Sequence, residues 1–525
     1  MLSELQKLFL GNAPGWYKST ILGFLIINPI LLLVLNIFIS SYALAPIYSP
    51  DIWNINEMPI ENETYDAGFF LGWILLMQFI FTLAMALKCY PLQPGGLLAI
   101  QALILGLTST DTIYYEIEHN LKVILLLVFM VAGIYFMKNL MLTIFTKLLL
   151  TVRSKTLLSF LFCFSAAVLS AFLDALTVTA VLIGVMIGFY RIYHAVISGN
   201  NFTDQSHNYL DNSKITTIDS NELEKFKGFL RDLVMHGAVG TALGGVCTTV
   251  GEPQNLLIAG EAGWDFIEFF IQMAPITMPI LITGLITCII VEKFSIAGFG
   301  NQLPSNVRNI FNEYSEYRNQ NITTNDKAEL FIESVVLVFL VFALAFSIAA
   351  VGLIGLSVMV FLTAFKGITQ EHQLGEAFHE ALPFTALLAV FFAIVSVIYD
   401  QKLFDPIILY VLNQPESIQP SLFYIANGFL SAVSDNVFVA TIYIGQVAEK
   451  IQPGSEQFNN LAIAINVGTN IPSIATPNGQ AAFLFLLTSA LAPLINLSYL
   501  RMVYMALPYT IILSIIGYIS IYILL

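Results

Sequence analysis

The chain has 525 residues, 57% of them hydrophobic and 11% charged, with a mean hydropathy of +0.80. Soluble domains carry about 25% charged residues, so these proportions exclude a water-soluble globular enzyme and place the chain in a bilayer. A formal net charge of −14, from 21 Lys and Arg against 35 Asp and Glu, leaves no basic face for nucleic acid.

The first eighteen residues, MLSELQKLFLGNAPGWYK, are amphipathic and lack a long apolar core or small-residue cleavage site, so no removable signal peptide is expected. A spanning helix needs about 20 apolar residues. Such runs follow at 19–45, 67–87, 94–108, 121–137, 233–260, 266–291, 329–349, 351–366, 383–399, 458–488 and 502–525, about eleven crossings. Two more runs, 156–190 and 420–447, are interrupted by an aspartate among small residues, SAFLDAL at 170–176 and SAVSDNV at 431–437. If both enter and leave on one face as re-entrant hairpins, 18 of the 21 basic residues fall on the cytoplasmic side and only Lys122, Lys402 and Lys450 outside. Cytoplasmic loops collect Lys and Arg, so the hairpin reading is preferred. It places the N-terminus inside, the C-terminus outside, and the acidic stretch 46–66 (Asp51, Glu57, Glu61, Glu63, Asp66) outside. Cys89, Cys163, Cys247 and Cys288 lie far apart and suggest neither a disulfide framework nor a zinc site.

The chain repeats itself. Ser170-Ala171 and Asp174 recur as Ser431-Ala432 and Asp435 at an offset of 261, and Val239-Gly240-Thr241, Thr248 and Gly251 recur as Val467-Gly468-Thr469, Thr476 and Gly479 at 228. The difference is a polar loop near 198–230, present only in the first half. Each half has five full crossings, an odd number, so the halves face opposite ways, as in many secondary transporters. The expected organisation is an all-α polytopic protein: residues 1–45 with the first helix, a repeat at 67–291, a cytoplasmic linker at 292–328, and a second repeat at 329–525.

Backbone in a bilayer is left unwound only where protein or a water-filled cavity surrounds it. The two aspartate tips and the stretches 248–255 and 470–480, rich in Gly, Pro, Thr, Asn and Gln, are candidates for such breaks. They gather oxygens suited to a hard cation such as Na+. The candidate ligands are Asp174, Asp435 and Glu252, assisted by Thr248, Asn255, Ser434, Asn436, Asn470, Thr476 and Asn478. No Lys or Arg lies in these four stretches. Because removal from water disfavours the charged form of a carboxyl group, the same group can hold a proton or a metal ion in turn. Each assignment has an ordinary alternative: Asp174 and Asp435 also suit helix N-caps, and Glu252 could line a water-exposed cavity wall. His236 and Glu333 are expected near the membrane interface, and His119, His194, His207, His372 and His379 in loops.

Long ordered segments, among them SAFLDALTV (170–178), VGTALGGVCTTVGEPQNL (239–256), SDNVFVATIYI (434–444) and INVGTNIPSIATPNGQAAFLFLLTSALAPLI (465–495), closely resemble the NhaB family of bacterial sodium/proton antiporters. The resemblance runs from about Gly15 to Pro508. It implies an inner-membrane secondary transporter, not an enzyme, that expels Na+ or Li+ in exchange for protons by alternating access. It also implies inverted repeats that each carry a hairpin and a broken helix, often in a homodimer, with no cofactor beyond the transported ions. The acidic stretch 46–66 departs from the family pattern. A sodium-coupled dicarboxylate symporter of the same superfamily is the main competitor, opposed by the tip aspartates. An intramembrane aspartyl protease would need a Gly-x-Gly-Asp motif that the chain lacks, and a passive channel gives no reason for matched broken helices.

Overall fold

The computed structural model describes residues 7–42, 66–202, 207–211 and 217–525. The acidic stretch lies outside the described residues except for Asp66, whose carboxylate N-caps the helix Ala67–Ala84 by accepting from Phe69 N–H. Every regular element among the described residues is helical.

Seven described helices are long and apolar enough to cross a membrane: Gly15–Phe38, Ala67–Ala84, Ala175–Ile197, Phe266–Lys293, Thr324–Ala345, Leu382–Asp400 and Tyr499–Leu524. There are eight if Thr110–His119 and Leu121–Tyr135 form one span. The chain is therefore an all-α polytopic membrane protein. Six of the seven coincide with expected crossings. Two other expected crossings, 94–108 and 351–366, are the shorter helices Leu92–Ile104 and Val351–Phe365. The seventh long helix, Ala175–Ile197, was expected only as a hairpin arm. Its 23 residues rise roughly 34 Å, enough by length to traverse the hydrocarbon core alone.

Two compact units divide the chain. The first comprises Met1–His119 and Ala386–Tyr410. Its helices are joined by a buried amide cluster in which Asn28 Nδ2 donates to Gln78 Oε1 (2.7 Å) and Gln101 Oε1 (2.8 Å), and Gln78 Nε2 donates back to Asn28 Oδ1 (2.8 Å). Gln101 Nε2 donates to the Leu25 carbonyl (2.7 Å). Lipid offers no hydrophobic drive between helices, so such mutually satisfied polar groups help hold them.

The second unit comprises Asn120–Thr385 and Val411–Leu525, and contains every candidate ligand. Both interrupted runs are helix pairs broken at the aspartate: Lys155–Ser170 with Ala175–Ile197, and Gln419–Ser431 with Asn436–Lys450. Both expected broken crossings are broken. Thr217–Gly245 stops and the chain restarts at Pro253–Ala262, with Pro253 in the first turn, where a missing N–H costs nothing. Glu456–Asn470 gives way to a 3₁₀ turn, Pro472–Ala475, before Ala481–Thr488. The expected linker is not featureless. It contains the helix Ser305–Asn321, which buries Val307, Ile310 and Phe311, and Phe311 meets Phe189 edge-on.

Candidate functional site

Each aspartate tip is latched to the break in its own half. Ser170 Oγ donates to the Thr241 carbonyl (2.9 Å), and Thr248 Oγ1 donates to the Ala171 carbonyl (2.5 Å). The same bonds recur in the second half, from Ser431 Oγ to the Thr469 carbonyl (2.6 Å) and from Thr476 Oγ1 to the Ala432 carbonyl (2.7 Å). The donors and acceptors correspond at the two sequence offsets, 261 for the tip and 228 for the break. Glycine makes the approach close enough. A Cβ on Gly240 would run into the Cys163 carbonyl, and one on Gly468 into that of Tyr424; Gly251 and Gly479 stand in the same way against the carbonyls of Ser170 and Ser431.

Asp174 and Asp435 are N-caps, as their alternative reading held. Asp174 Oδ2 accepts from Thr177 N–H (3.0 Å) and Oγ1 (3.3 Å), and Asp435 Oδ1 accepts from the N–H groups of Val437 (2.9 Å) and Phe438 (3.3 Å). Both are buried, and so is Glu252, which is 2% exposed at the entry to Pro253–Ala262. A water-exposed wall is therefore not where Glu252 sits. It lies within electrostatic reach of both Asp174 and Asp435. Among the described residues none of the three carboxylates is in an ion pair with Lys or Arg.

A polar seam joins the two breaks. Asn255 Nδ2 donates to the carbonyls of Gly245 (2.7 Å) and Thr248 (2.6 Å), tying up the frayed end of Thr217–Gly245. Asn470 Nδ2 donates to Asn255 Oδ1 (3.1 Å) and the Asn466 carbonyl (2.8 Å), while Asn470 Oδ1 accepts from Gln254 Nε2 (2.7 Å). Gln480, which stands where the first half has Glu252, donates to the Asn470 carbonyl (2.9 Å) and Ser473 Oγ (2.8 Å). Among the described residues, several buried polar atoms have no hydrogen-bond partner: Glu252 Oε1, Gln254 Oε1, Gln480 Oε1, Ser434 Oγ, Thr249 Oγ1, and both Oδ1 and Nδ2 of Asn436. Buried polar groups are nearly always satisfied, so this concentration at the tips and breaks is what a ligand-binding site would produce.

Of the expected ligands, Asp174, Asp435, Glu252, Asn255 and Asn470 belong to this assembly, and Ser434 and Asn436 flank the second aspartate. The hydroxyls of Thr248 and Thr476 are engaged in the latches. Asn478 reaches the Tyr499 hydroxyl (3.4 Å). Among the described residues no three His, Cys, Asp or Glu side chains converge closely enough to hold a metal ion by themselves. An ion here would draw on amide, hydroxyl and backbone oxygens as well as carboxylates.

A family model described as NhaB, bacterial Na+/H+ antiporter B, matches residues 61–525. The chain belongs to the NhaB family. It is 57% identical over 517 residues to the Na(+)/H(+) antiporter NhaB of Teredinibacter turnerae, covering 98% of this chain and 97% of that one. It is 57% identical to the NhaB antiporter of a Marinomonas species, covering 97% and 96%, and 58% identical to that of Saccharophagus degradans, with the same coverage.

Outside the site, four histidines expected in loops lie in helices: His119 ends Thr110–His119, His372 and His379 belong to Glu371–Asp400, and His194 belongs to Ala175–Ile197. His236, expected near the interface, is wholly buried within the protein in Thr217–Gly245. His194 is wholly buried in the last turn of Ala175–Ile197, not in a loop, with its Nδ1 2.8 Å from His207 Nε2. Glu333 is wholly buried because Lys366 Nζ (2.7 Å) and Leu140 N–H (2.6 Å) meet its two oxygens. Sequence reading also missed Gln254, Asn466 and Thr249.

Proposed function

We propose that this chain is a secondary Na+(Li+)/H+ antiporter of the bacterial inner membrane, working by alternating access, in which Asp174 and Asp435 bind Na+ and H+ competitively. The observation that carries this reading is a set of three buried carboxylates, Asp174 and Asp435 within electrostatic reach of Glu252, none of them ion-paired with Lys or Arg among the described residues, beside buried oxygens that no described group satisfies. Three negative charges cannot all persist in a desolvated site; either metal cations or protons must meet them, and exchange of one for the other is antiport. Capping and ion binding are compatible, since a carboxylate has about four acceptor positions. Glu252 supplies further charge, Asn255 and Asn470 hold the two breaks in register, and Ser434, Asn436, Thr248, Thr476 and Asn478 offer supporting oxygens.

Competition has a pH signature. In everted vesicles the apparent KM for Na+ should rise on acidification, by about tenfold per pH unit for each proton displaced per ion bound. A KM indifferent to pH would remove competition from the mechanism.

The topology proposed with this function has two inverted repeats, at 67–291 and 329–525, joined by the linker 292–328. It comprises about eleven crossings and two re-entrant hairpins, with the N-terminus cytoplasmic and the C-terminus periplasmic. The distribution of basic residues supports it. Single cysteines placed at Ser305 and Asn413 in a cysteine-free background should label from the cytoplasmic and periplasmic sides respectively; labelling of both from one side would refute the arrangement.

A further inference from the structure

A second buried cluster of ionisable groups lies away from the tips. His236 stands nine residues before the end of its helix at Gly245, about 14 Å of rise. Its Nε2 is 2.9 Å from Glu292 Oε2, and that oxygen also accepts from Lys155 Nζ (3.2 Å) and Ser159 Oγ (3.1 Å). Lys155 Nζ is 3.4 Å from Asp232 Oδ2, and Asp232 accepts from Asn301 N–H (2.8 Å) and Nδ2 (2.9 Å). The remaining groups facing the imidazole are the Tyr509 hydroxyl, 2.7 Å from Nδ1, and Cys288 Sγ at 3.4 Å, a free thiol in contact with that of Cys163; Phe299 stacks on the ring. Arg231, next to Asp232, directs Nη1 to the Ile495 carbonyl (2.9 Å). Lys155, Asp232, His236 and Glu292 are all buried.

The charge count is uneven. Asp232 and Glu292 bring two negative charges and Lys155, the cation in contact with both, one positive; Arg231 lies nearby but turns its guanidinium to the Ile495 carbonyl, so the groups in direct contact balance only when His236 is also protonated. Its hydrogen bonding accommodates both states. Nε2 faces a carboxylate and carries hydrogen throughout, while Nδ1 can accept from the Tyr509 hydroxyl when neutral or donate to it when charged, because a hydroxyl both donates and accepts. Loading a proton on Nδ1 reverses the Tyr509 hydroxyl and turns the Cys288 sulfur from donor to acceptor, keeping both partners in place.

We propose that this cluster is a second proton-binding site, distinct from the tip carboxylates, with the proton on His236 Nδ1. Loaded, the neutral cluster clamps the first hairpin arm, through Lys155 and Ser159, to Thr217–Gly245 and Phe266–Lys293. Unloaded, it leaves one buried negative charge uncompensated, and the clamp loosens. Because that arm carries the Asp174 tip, loading slows the movement of the ion site without changing its competition for Na+.

The proposal rests on the antiport reading, and measuring Vmax and KM for Na+ separately, in proteoliposomes from about pH 6 to 9, distinguishes the two. The wild-type Vmax should fall on acidification through a single inflection, by up to about tenfold per pH unit below it, while KM rises. His236→Gln should flatten the Vmax profile to within about twofold and leave the rise in KM intact. Lys155→Gln removes a positive charge beside the imidazole, and its Vmax inflection should move at least about one pH unit to the alkaline side. A wild-type Vmax independent of pH, a His236→Gln profile parallel to wild type, or an unmoved or acid-shifted Lys155→Gln inflection would overturn the second site. Loss of the KM dependence in the wild type would overturn the competitive site instead. If His236→Gln fails to accumulate, the wild-type and Lys155→Gln profiles decide.

Discussion

Asp174→Asn should reduce Na+-dependent proton movement in everted vesicles to background, a loss of at least about 100-fold, while the protein still inserts and accumulates. Two roles of the side chain are separated by this change. Asn caps helices about as well as Asp, so the bond from Thr177 N–H to the side chain at 174 survives, and the stability cost should stay within about 1 kcal/mol. What disappears is the charge. An amide cannot neutralise Na+ and cannot carry the exchanged proton, and Glu252 and Asp435 remain as an unbalanced pair. Asp435→Asn should behave alike, because Asp435 caps Asn436–Lys450 in the same fashion. The readout is recovery of a preformed pH gradient on adding NaCl or LiCl, with membrane abundance measured in parallel. Normal exchange by both variants would mean that the aspartates are caps and nothing more.

Gly244→Ala should have the largest effect on the folded protein. A Cβ at this position would overlap the Ala167 carbonyl oxygen, and its nearest neighbours are all backbone atoms, so no side chain can swing aside. The helices Thr217–Gly245 and Lys155–Ser170 would have to separate along the contact that brings Ser170 to Thr241. Overpacking typically costs about 1–3 kcal/mol; a clash of backbone with backbone belongs at or beyond the upper end. The variant should show a sharply reduced yield of monodisperse protein in detergent and a lowered midpoint of thermal unfolding. Gly260→Ala, with open space around the added carbon, is the matched control. Equal melting of the two variants would show that the close approach is dispensable.

Hydropathy made the long crossings legible, because burial in lipid is the dominant constraint on those residues. The breaks were legible for the opposite reason: Gly251-Glu252-Pro253 and Pro472 to Gly479 cannot continue a helix, and the Thr and Gly common to both, Thr248 with Thr476 and Gly251 with Gly479, recur at one offset. The seam was harder to see. Gln254 and Asn255 correspond by the 228-residue offset to Ala482 and Phe483, and Asn466 and Asn470 to Ala238 and Ala242. The amides that join the halves therefore occur once each, and a search for shared residues passes over them. Complementarity between halves leaves no trace in self-comparison. The burial of His236 and Glu333 within the protein was not legible, because a lone ionisable residue near a run of charges gives no sign of its partners. The partners that make burial tolerable are distant in sequence: Glu292 is 56 residues from His236 and Tyr509 is 273 away. The length of Ala175–Ile197 was not legible, because sorting of basic residues constrains where a segment emerges and says little about how far its helix runs.

The threonine latches bear on how the cargo travels. With Thr248 and Thr476 each fastening a tip to its neighbouring break, and Asn470 bridging one break to the other, the proposed ion site would be preassembled in place of being rebuilt at each face. An ion then meets identical chemistry whether it arrives from the cell interior or from the periplasm. Any discrimination between Li+ and Na+ at such a site would be an intrinsic property of the carrier, equal in forward and reverse operation, with direction left to the gradients alone.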